Sequence, residues 1–170
     1  MSIFTAENKE GNLIDSLYET LIYVMRVTAT RDRYIYGAAL STYNPYYEML
    51  QVKEVYDQMD RKGYFHYTLD PDCFDILQVD SFYILGKEVA ELIGHFYGNY
   101  QVLMAIHFNV EQYHIHFIAN NIDYINGKRL DLDRRKLSEL KDAINILLEK
   151  HGVSVIIKND INGFVMKNQI

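Results

Sequence analysis

The sequence predicts an α+β fold in which a largely antiparallel sheet packs against flanking helices. Helix-like and strand-like segments are mixed along the 170 residues, and 49% of the residues are apolar. Two apolar strand candidates, 100–108 and 113–122, are separated by a connection of hairpin length, which predicts that they pair antiparallel. The length suits one core, so we expect a single domain over 1–170, with a polar, loosely held terminus over 1–11.

Four segments carry apolar residues at helical spacing, which predicts helices. They are 13–27, 43–62, 80–97 and 137–151. Pro45 lies near the start of the second segment, where a helix tolerates proline because the first turn leaves that N–H unbonded in any case. Gly63 and Gly152 follow the second and fourth segments, as glycines commonly follow helix ends.

Five shorter segments have the composition of β-strands. They are 34–40, 64–69, 100–108, 113–122 and 153–157. Asn126-Gly127, after the fourth of these, predicts a tight turn.

Composition excludes several classes of protein. The net charge of −6 argues against a surface coated uniformly with nucleic-acid-binding charge, so a polyanion partner would need a local basic patch. No apolar run approaches the roughly 18 residues of a membrane span, and no signal peptide is visible. Cys73 is the one cysteine, which excludes an internal disulfide. We therefore expect a cytoplasmic protein that does not act on membranes.

Three of the six histidines fall within ten consecutive residues. His114 and His116 are two apart in a predicted strand, so their side chains share a face. If residues 109–112 form the turn, His107 lies opposite His114, and opposed residues of an antiparallel pair also share a face. The register alone therefore predicts that the three histidines converge on one patch, looking out from a sheet whose other face packs on helices.

Such a cluster favours a metal site. Neutral imidazole is the commonest metal ligand in proteins, and three imidazoles leave coordination positions open, as in catalytic sites. The alternative is that these histidines are polar residues of a solvated face, or hydrogen-bonded fillers of the core.

The histidine segment also resembles a known family. The pattern His107-x6-His114-x-His116, followed by Asn120 and then Asn126-Gly127-Lys128, resembles the third motif of relaxases, the mobilisation nucleases that nick and carry plasmid or integrative-element DNA. Weaker similarities lie at Tyr23-Val24-x-Arg26, Tyr64-Phe65-His66-Tyr67 and 87–92. The similarity covers about residues 13–157.

The resemblance implies a fold, a chemistry and partners. The expected fold is the HUH-type relaxase palm. The expected reaction is attack by a tyrosine on one strand of single-stranded DNA at a transfer origin, which leaves a 5′-phosphotyrosine link and a free 3′-hydroxyl. A divalent cation, Mg2+ or Mn2+, held by His107, His114 and His116 would polarise the phosphate. Accessory mobilisation proteins are the further partners expected.

The chain has fifteen tyrosines, so the residues alone do not identify the nucleophile. By position relative to the family motif, Tyr23 is the predicted nucleophile and Tyr18 is the rival. Without the resemblance, either would be interpreted as a packing aromatic of an amphipathic helix.

The chain departs from the family pattern beside the first histidine. The family usually has an acidic residue two positions later, where it orients an imidazole, and here that position is Asn109. A carboxylate in that place fixes the tautomer of a metal ligand. Glu111, or another carboxylate, is expected to substitute. Asn120 is expected to support the site, and the serine of a second family segment is replaced near Asp70.

Basic residues supply candidate DNA contacts, since phosphate contacts give affinity without sequence information. The densest cluster is Lys128, Arg129, Arg134, Arg135 and Lys136, with Arg26 and Arg31 close to Tyr23. The alternative is a solvated loop and helix start. Exposed tyrosines could stack on unpaired bases, and the candidates are Tyr34, Tyr36, Tyr46 and Tyr47.

Two other functions remain open at this point. One is a rolling-circle replication initiator, which uses similar chemistry but typically places its tyrosine after the histidines. The other is a catalytically silent DNA-binding module of the same fold, which the Asn109 change and the acidic net charge favour.

Overall fold

The structure is a computed structural model that describes residues 1–7, 14–59, 63–72 and 78–157. Its five-stranded sheet has the order β1-β3-β5-β4-β2, and every neighbouring pair is antiparallel. The strands are β1 (Ile3–Glu7), β2 (Ile35–Ala38), β3 (Tyr64–Asp70), β4 (Val102–His107) and β5 (His114–Asn120). The predicted hairpin is therefore present, with β5 at the centre of the sheet.

Four α-helices flank this sheet within the described residues, and the predicted α+β class is confirmed. The helices are α1 (Ile14–Met25), α2 (Pro45–Val55), α3 (Val79–His95) and α4 (Arg134–Lys150). None of the described helices combines the length and the hydropathy needed to span a membrane.

The two faces of the sheet pack against different helices, because strand side chains alternate between faces. The face that carries Met104, Ile115 and Phe117 forms the larger core cluster with α3 and α4. The face that carries Ala105 and Ile118 packs against α1 and α2.

Helix α1 buries the stripe that its sequence predicts. Leu17, Leu21 and Val24 are each buried, at intervals of four and three residues, so they lie on one face of the helix. Tyr18 and Tyr23 lie outside that stripe and are about half exposed. The packing of the stripe therefore leaves the side chain of Tyr23 partly exposed to solvent.

The predicted loose terminus is wrong over 3–7, which form the edge strand β1. Phe4 is buried and its ring stacks on that of Tyr67, with centroids 5.4 Å apart. The segment is too short to predict from periodicity, and it is stabilised by pairing with β3 over five residue pairs. The remainder of the predicted terminus, 8–11, lies outside the described residues, as does Cys73.

Two other predicted boundaries differ from the structure by more than two residues, and one predicted strand does not form. Helix α2 ends at Val55 rather than at residue 62, and Asp57 has a φ of 53°, which a helix does not contain. Helix α4 begins at Arg134 because the side chain of Asp133 caps it, accepting a hydrogen bond from the Lys136 amide. Residues 153–157 form one isolated bridge, between Ile156 and Ser2, instead of a strand.

A candidate metal centre beside a tyrosine

The register of β4 and β5 brings the three histidines together. His107 pairs with His114, and His116 pairs with Ala105, so the three side chains share a face, as predicted. The ring centroids of His107 and His116 are 4.2 Å apart, and that of His114 lies 5.1 Å and 4.9 Å from them.

These rings offer nitrogen atoms that could share an ion. One ligand nitrogen from each histidine lies within 4.8 Å of the other two. The Nδ1 atom of His107 and the Nε2 atom of His116 are buried and have no hydrogen-bond partner among the described residues. A buried nitrogen without a partner is costly, and a cation would supply that partner, so the donor set fits a divalent metal ion.

The histidines do not look out from the sheet as expected, because the end of α1 covers them. His107 is 0% exposed and His116 is 5% exposed, whereas His114 is only half-buried. The site is therefore open on the side of His114 and closed beneath α1.

Helix α1 orients His107 through a backbone hydrogen bond. The Nε2–H group of His107 donates to the carbonyl oxygen of Val24, 2.7 Å away, and this leaves Nδ1 with the lone pair. The Val24 carbonyl is available because α1 ends at Met25 and the last four carbonyls of a helix lack partners within it. The partial negative charge at this end of the helix also favours a nearby cation.

The other two histidines are supported by strand β3. The Nδ1 atom of His116 lies 2.8 Å from Nε2 of His66. Asp70 ends β3 beside His114, since the preceding Leu69 pairs with Ile115. Burial raises the pKa of the Asp70 carboxyl, and the charge of His114 lowers it in part.

Burial keeps the inner imidazoles neutral. It lowers the pKa of His107 to about 4, although the hydrogen bond that His107 donates to the Val24 carbonyl acts in the opposite direction, and the charges of His114 and Arg26 lower it further. Burial also lowers the pKa of His116, as do the neighbouring histidines and Arg26. Neutral imidazole is the form that binds metal, so at neutral pH the site needs no proton loss from these two rings.

Tyr23 lies against the histidine cluster. Its ring centroid is 5.8 Å from that of His107 and 5.9 Å from that of His116. The Cζ atom of Arg26 lies 4.1 Å from the Tyr23 ring centroid, and its Nη1 donates to the Tyr23 carbonyl at 2.6 Å. Tyr18 instead packs edge-on against Tyr46, with centroids 5.2 Å apart. The structure thus brings Tyr23, and not Tyr18, to the histidines.

Two predicted supporting residues are not at the cluster. Asn120 lies at the other end of β5, which at seven residues spans about 20 Å. Its Nδ2 donates to the Met49 carbonyl and to Gln101 Oε1, at 3.1 and 3.0 Å. Glu111 and Asn109 are exposed in the hairpin connection. The imidazole supports come instead from Val24 and β3.

The predicted basic cluster also follows the far end of β5 and is largely engaged with the protein itself. Arg129 donates to Gln58 Oε1 at 2.8 Å, and Arg135 pairs with Glu139 at 2.7 Å. Lys136 donates to the Asp131 carbonyl at 2.5 Å. Lys128 and Arg134 are exposed. Of the predicted DNA-binding residues, Arg26 is the one that the structure places at the histidines.

The candidate stacking tyrosines divide between the two faces of the molecule. Tyr34 is buried and donates to Asp80 at 3.0 Å, and the hydroxyl of Tyr36 donates to Glu91. Tyr46 is half-buried and Tyr47 is 61% exposed on α2.

The other candidate basic residue near Tyr23, Arg31, is exposed and donates to the carbonyls of Val27 and Thr30.

Sequence reasoning missed the roles of His66 and the Val24 carbonyl. The signal for His66 is its period-two spacing with Thr68 and Asp70, which becomes informative once β3 is known to pair with β5. No sequence pattern points to a backbone carbonyl as the partner of a histidine.

Comparison with known proteins agrees with this geometry. The family described as relaxase, MobA/VirD2-like nuclease domain, matches residues 23–153, a range that includes Tyr23 and all three histidines. This chain belongs to the relaxase family. The match covers well over half of the chain and ends after α4.

The curated proteins that match are longer than this chain. Two proteins called Protein rlx, both from Staphylococcus aureus, are 31% and 30% identical to this chain over 71 residues. The alignment covers 42% of this chain and 22% of the first relative's length. The aligned part thus represents about a fifth of that relative.

Solved structures share the fold. The MobM relaxase domain, bound to plasmid oriT DNA in a Mn-bound crystal structure, is 14% identical with a TM-score of 0.69, over 98% of this chain and 94% of that chain. A structure reported for the molecular basis of vancomycin resistance transfer in Staphylococcus aureus is 18% identical with a TM-score of 0.56, over 95% and 100%. The palm predicted from the resemblance is therefore the observed fold.

Proposed function

We propose that this chain is a metal-dependent relaxase domain that nicks one DNA strand at a transfer origin, with Tyr23 as the nucleophile. The observation that carries the proposal is the contact of the Tyr23 ring with His107 and His116. Of fifteen tyrosines, Tyr23 is the one whose ring contacts both of these histidines, which supports the proposal that its hydroxyl attacks a phosphate held there. The whole chain, 1–170, would serve as a single nuclease domain.

His107, His114 and His116 would hold the cation, Mg2+ or Mn2+. When bound, the cation would offset the negative charge that builds on the scissile phosphate in the transition state. The buried nitrogens of His107 and His116 without partners support this role, as does the Mn bound in the MobM structure.

Helix α1 would hold the nucleophile in place relative to the metal ligands. Val24 accepts the hydrogen bond of His107 and directly follows Tyr23, so a displacement of one residue displaces the other. Such coupling matters because catalytic rates depend on sub-ångström placement of reacting groups.

Arg26 would bind the phosphate beside Tyr23. Its guanidinium lies over the tyrosine ring, and guanidinium is well suited to phosphate oxygens.

In the reaction, the Tyr23 oxygen forms a bond to phosphorus as the bond to the 3′ oxygen breaks. The phenol loses a proton and the leaving oxygen gains one, so no water is consumed and the link can be reversed.

The comparisons support the partner class. MobM was crystallised with oriT DNA, and we propose single-stranded DNA at a transfer origin as the substrate here, with accessory mobilisation proteins as further partners. The proposed location is the cytoplasm, where plasmid DNA is found. Tyr23 precedes the histidines in the chain, which favours a relaxase over a rolling-circle initiator.

The test is covalent capture of DNA. The protein is incubated with Mn2+ and a randomised single-stranded DNA library, and DNA that remains attached after denaturation is sequenced. Mass spectrometry of the attached peptide then identifies the modified residue, which we expect to be Tyr23.

Tyr18→Phe is the matched control, because it removes a hydroxyl from the same helix outside the cluster. Tyr23→Phe should abolish attachment, whereas Tyr18→Phe should retain it. Attachment at another residue, or undiminished attachment in Tyr23→Phe, would exclude Tyr23 as the nucleophile. DNA binding without attachment under any condition would favour the silent module.

A further inference from the structure

A fourth histidine lies next to the cluster. His66, in the middle of β3, is 5% exposed. Its Nε2 atom is 2.8 Å from Nδ1 of His116, and the two ring centroids are 5.1 Å apart at an interplanar angle of 37°. His66 therefore contacts the buried ligand histidine from the side opposite its open nitrogen.

The hydrogen bond between the two rings has two possible directions, and they have different consequences for His116. If Nδ1–H of His116 donates to His66, the proton of His116 is on Nδ1 and its Nε2 carries a lone pair. If Nε2–H of His66 donates instead, neutral His116 must carry its proton on Nε2. That N–H would be buried without an acceptor among the described residues and could not bind a cation.

The β1–β3 register favours the first direction. When His66 accepts through Nε2, its own proton is on Nδ1 and requires an acceptor. Glu7 is the residue directly opposite His66 in β1, and opposed side chains in an antiparallel pair share a face with Cβ atoms about 5 Å apart. A carboxylate is thus in reach of the second nitrogen of His66.

We propose that His66 is a positioning residue, which holds His116 in the tautomer whose Nε2 lone pair faces the cluster and which is itself held by Glu7. The proposed chain of contacts would cross three adjacent strands, from Glu7 on β1 through His66 on β3 to His116 on β5. The immediate hydrogen-bond partner of His116 is then a histidine, His66, in a position where metal-binding histidines often have a carboxylate. This proposal rests on one part of the proposed function, which is that the three histidines bind a cation.

The first test examines the tautomer without any metal. Long-range 1H–15N spectra of the imidazoles in the metal-free 170-residue chain distinguish a protonated from an unprotonated Nε2. We expect His116 to be the Nδ1–H tautomer in the wild type and in His66→Gln, whose side-chain oxygen can accept the same hydrogen bond. In His66→Phe, which keeps a ring but removes the acceptor, His116 should become a mixture of tautomers.

The second test is a calorimetric titration with Mn2+. Loss of a partner of this kind typically weakens metal binding by about 10- to 100-fold, and we expect His66→Phe to fall in that range. His66→Gln should stay within about threefold of the wild type and Glu7→Gln should show an intermediate loss, since each keeps part of the chain of contacts. Thr68→Val, at the β3 position opposite His116, is the control and should leave the affinity unchanged.

Two results would overturn the proposal. One is a wild-type His116 protonated on Nε2, and the other is a His66→Phe variant that binds Mn2+ as tightly as the wild type. If His66→Phe does not fold, the wild-type tautomer and the Glu7→Gln titration decide, and unchanged affinity in Glu7→Gln would then contradict the role of Glu7. Neither test uses DNA, so a failure to capture DNA at Tyr23 would end the proposed function and leave this inference standing.

Discussion

One face of the sheet carries a buried polar cluster at each end, and the two clusters differ in how far their polar atoms are hydrogen-bonded. His114 and His116 begin β5, and Asn120 ends it on the same face. At the histidine end, Nδ1 of His107 and Nε2 of His116 are buried without partners among the described residues. At the other end, Lys53 donates to Asn121 Oδ1 at 2.8 Å, and the amide nitrogen of Asn120 donates twice.

This difference distinguishes a site from a structural network. The polar groups near Asn120 mostly satisfy one another and so hold α2 on the sheet, although Asn120 Oδ1 also has no partner in the described part of the chain. One ligand nitrogen from each of the three histidines lies within 4.8 Å of the other two, a spacing that a shared ion would fit. Changes at the first end should therefore reduce metal binding, and changes at the second should reduce stability.

The largest effect is expected from His114→Ala. It removes one of three ligands and should weaken Mn2+ binding by at least about 100-fold, beyond the usual loss for an outer partner. Because His114 is half-buried, the free energy of unfolding measured in EDTA should change by less than about 1 kcal/mol. Calorimetry and chemical denaturation measure the two quantities. Retained affinity would show that the cluster is not a tridentate site.

The substitution Lys53→Met tests the cluster near Asn120 through the pH dependence of the free energy of unfolding. Lys53 is 0% exposed, and burial, with the nearby charge of Arg129, lowers its pKa to about 7 from 10.5. Between these values the unfolded chain binds more protons than the folded one, so wild-type stability rises with pH. Relative to Lys53→Met, it should rise by about 2 kcal/mol from about pH 8 to 9.5. Denaturation curves at several pH values measure this, and parallel pH profiles would contradict it.

Asn120→Ala is the counterpart of His114→Ala at the other end of β5. It removes two buried hydrogen bonds, to Met49 and Gln101, and should lower the free energy of unfolding by about 2 kcal/mol. The Mn2+ affinity should not change. A large loss of affinity in the folded variant would instead give Asn120 the supporting role that the sequence suggested.

The smallest effect is expected from Arg135→Gln. Arg135 pairs with Glu139 on the exposed side of α4, and such pairs contribute about 0.5 kcal/mol or less. Binding of a single-stranded oligonucleotide, measured by fluorescence anisotropy, should change by less than about twofold, whereas Arg26→Gln should weaken it by about tenfold. If Arg135→Gln instead causes the larger loss of affinity, the basic cluster and not Arg26 contacts the DNA.

Much of the site could be predicted because its spacing is local. The convergence of His107, His114 and His116 follows from a short hairpin and the period of two in a strand, and the register is as expected. The buried stripe of α1 follows in the same way from helical periodicity. The edge strand β1 and the early end of α2 were missed, since the first depends on pairing with a distant strand and the second on a backbone turn at Asp57.

The sequence by itself determined the α+β class, the histidine cluster and the family resemblance, because all three are encoded in residues close together along the chain. Only the tertiary structure decided that Tyr23 rather than Tyr18 meets the histidines, that Val24 and His66 contact His107 and His116, and that the basic cluster lies at the far end of β5. These relations join segments separated by tens of residues, and long-range packing sets them, because neither helical nor strand periodicity specifies which segments meet.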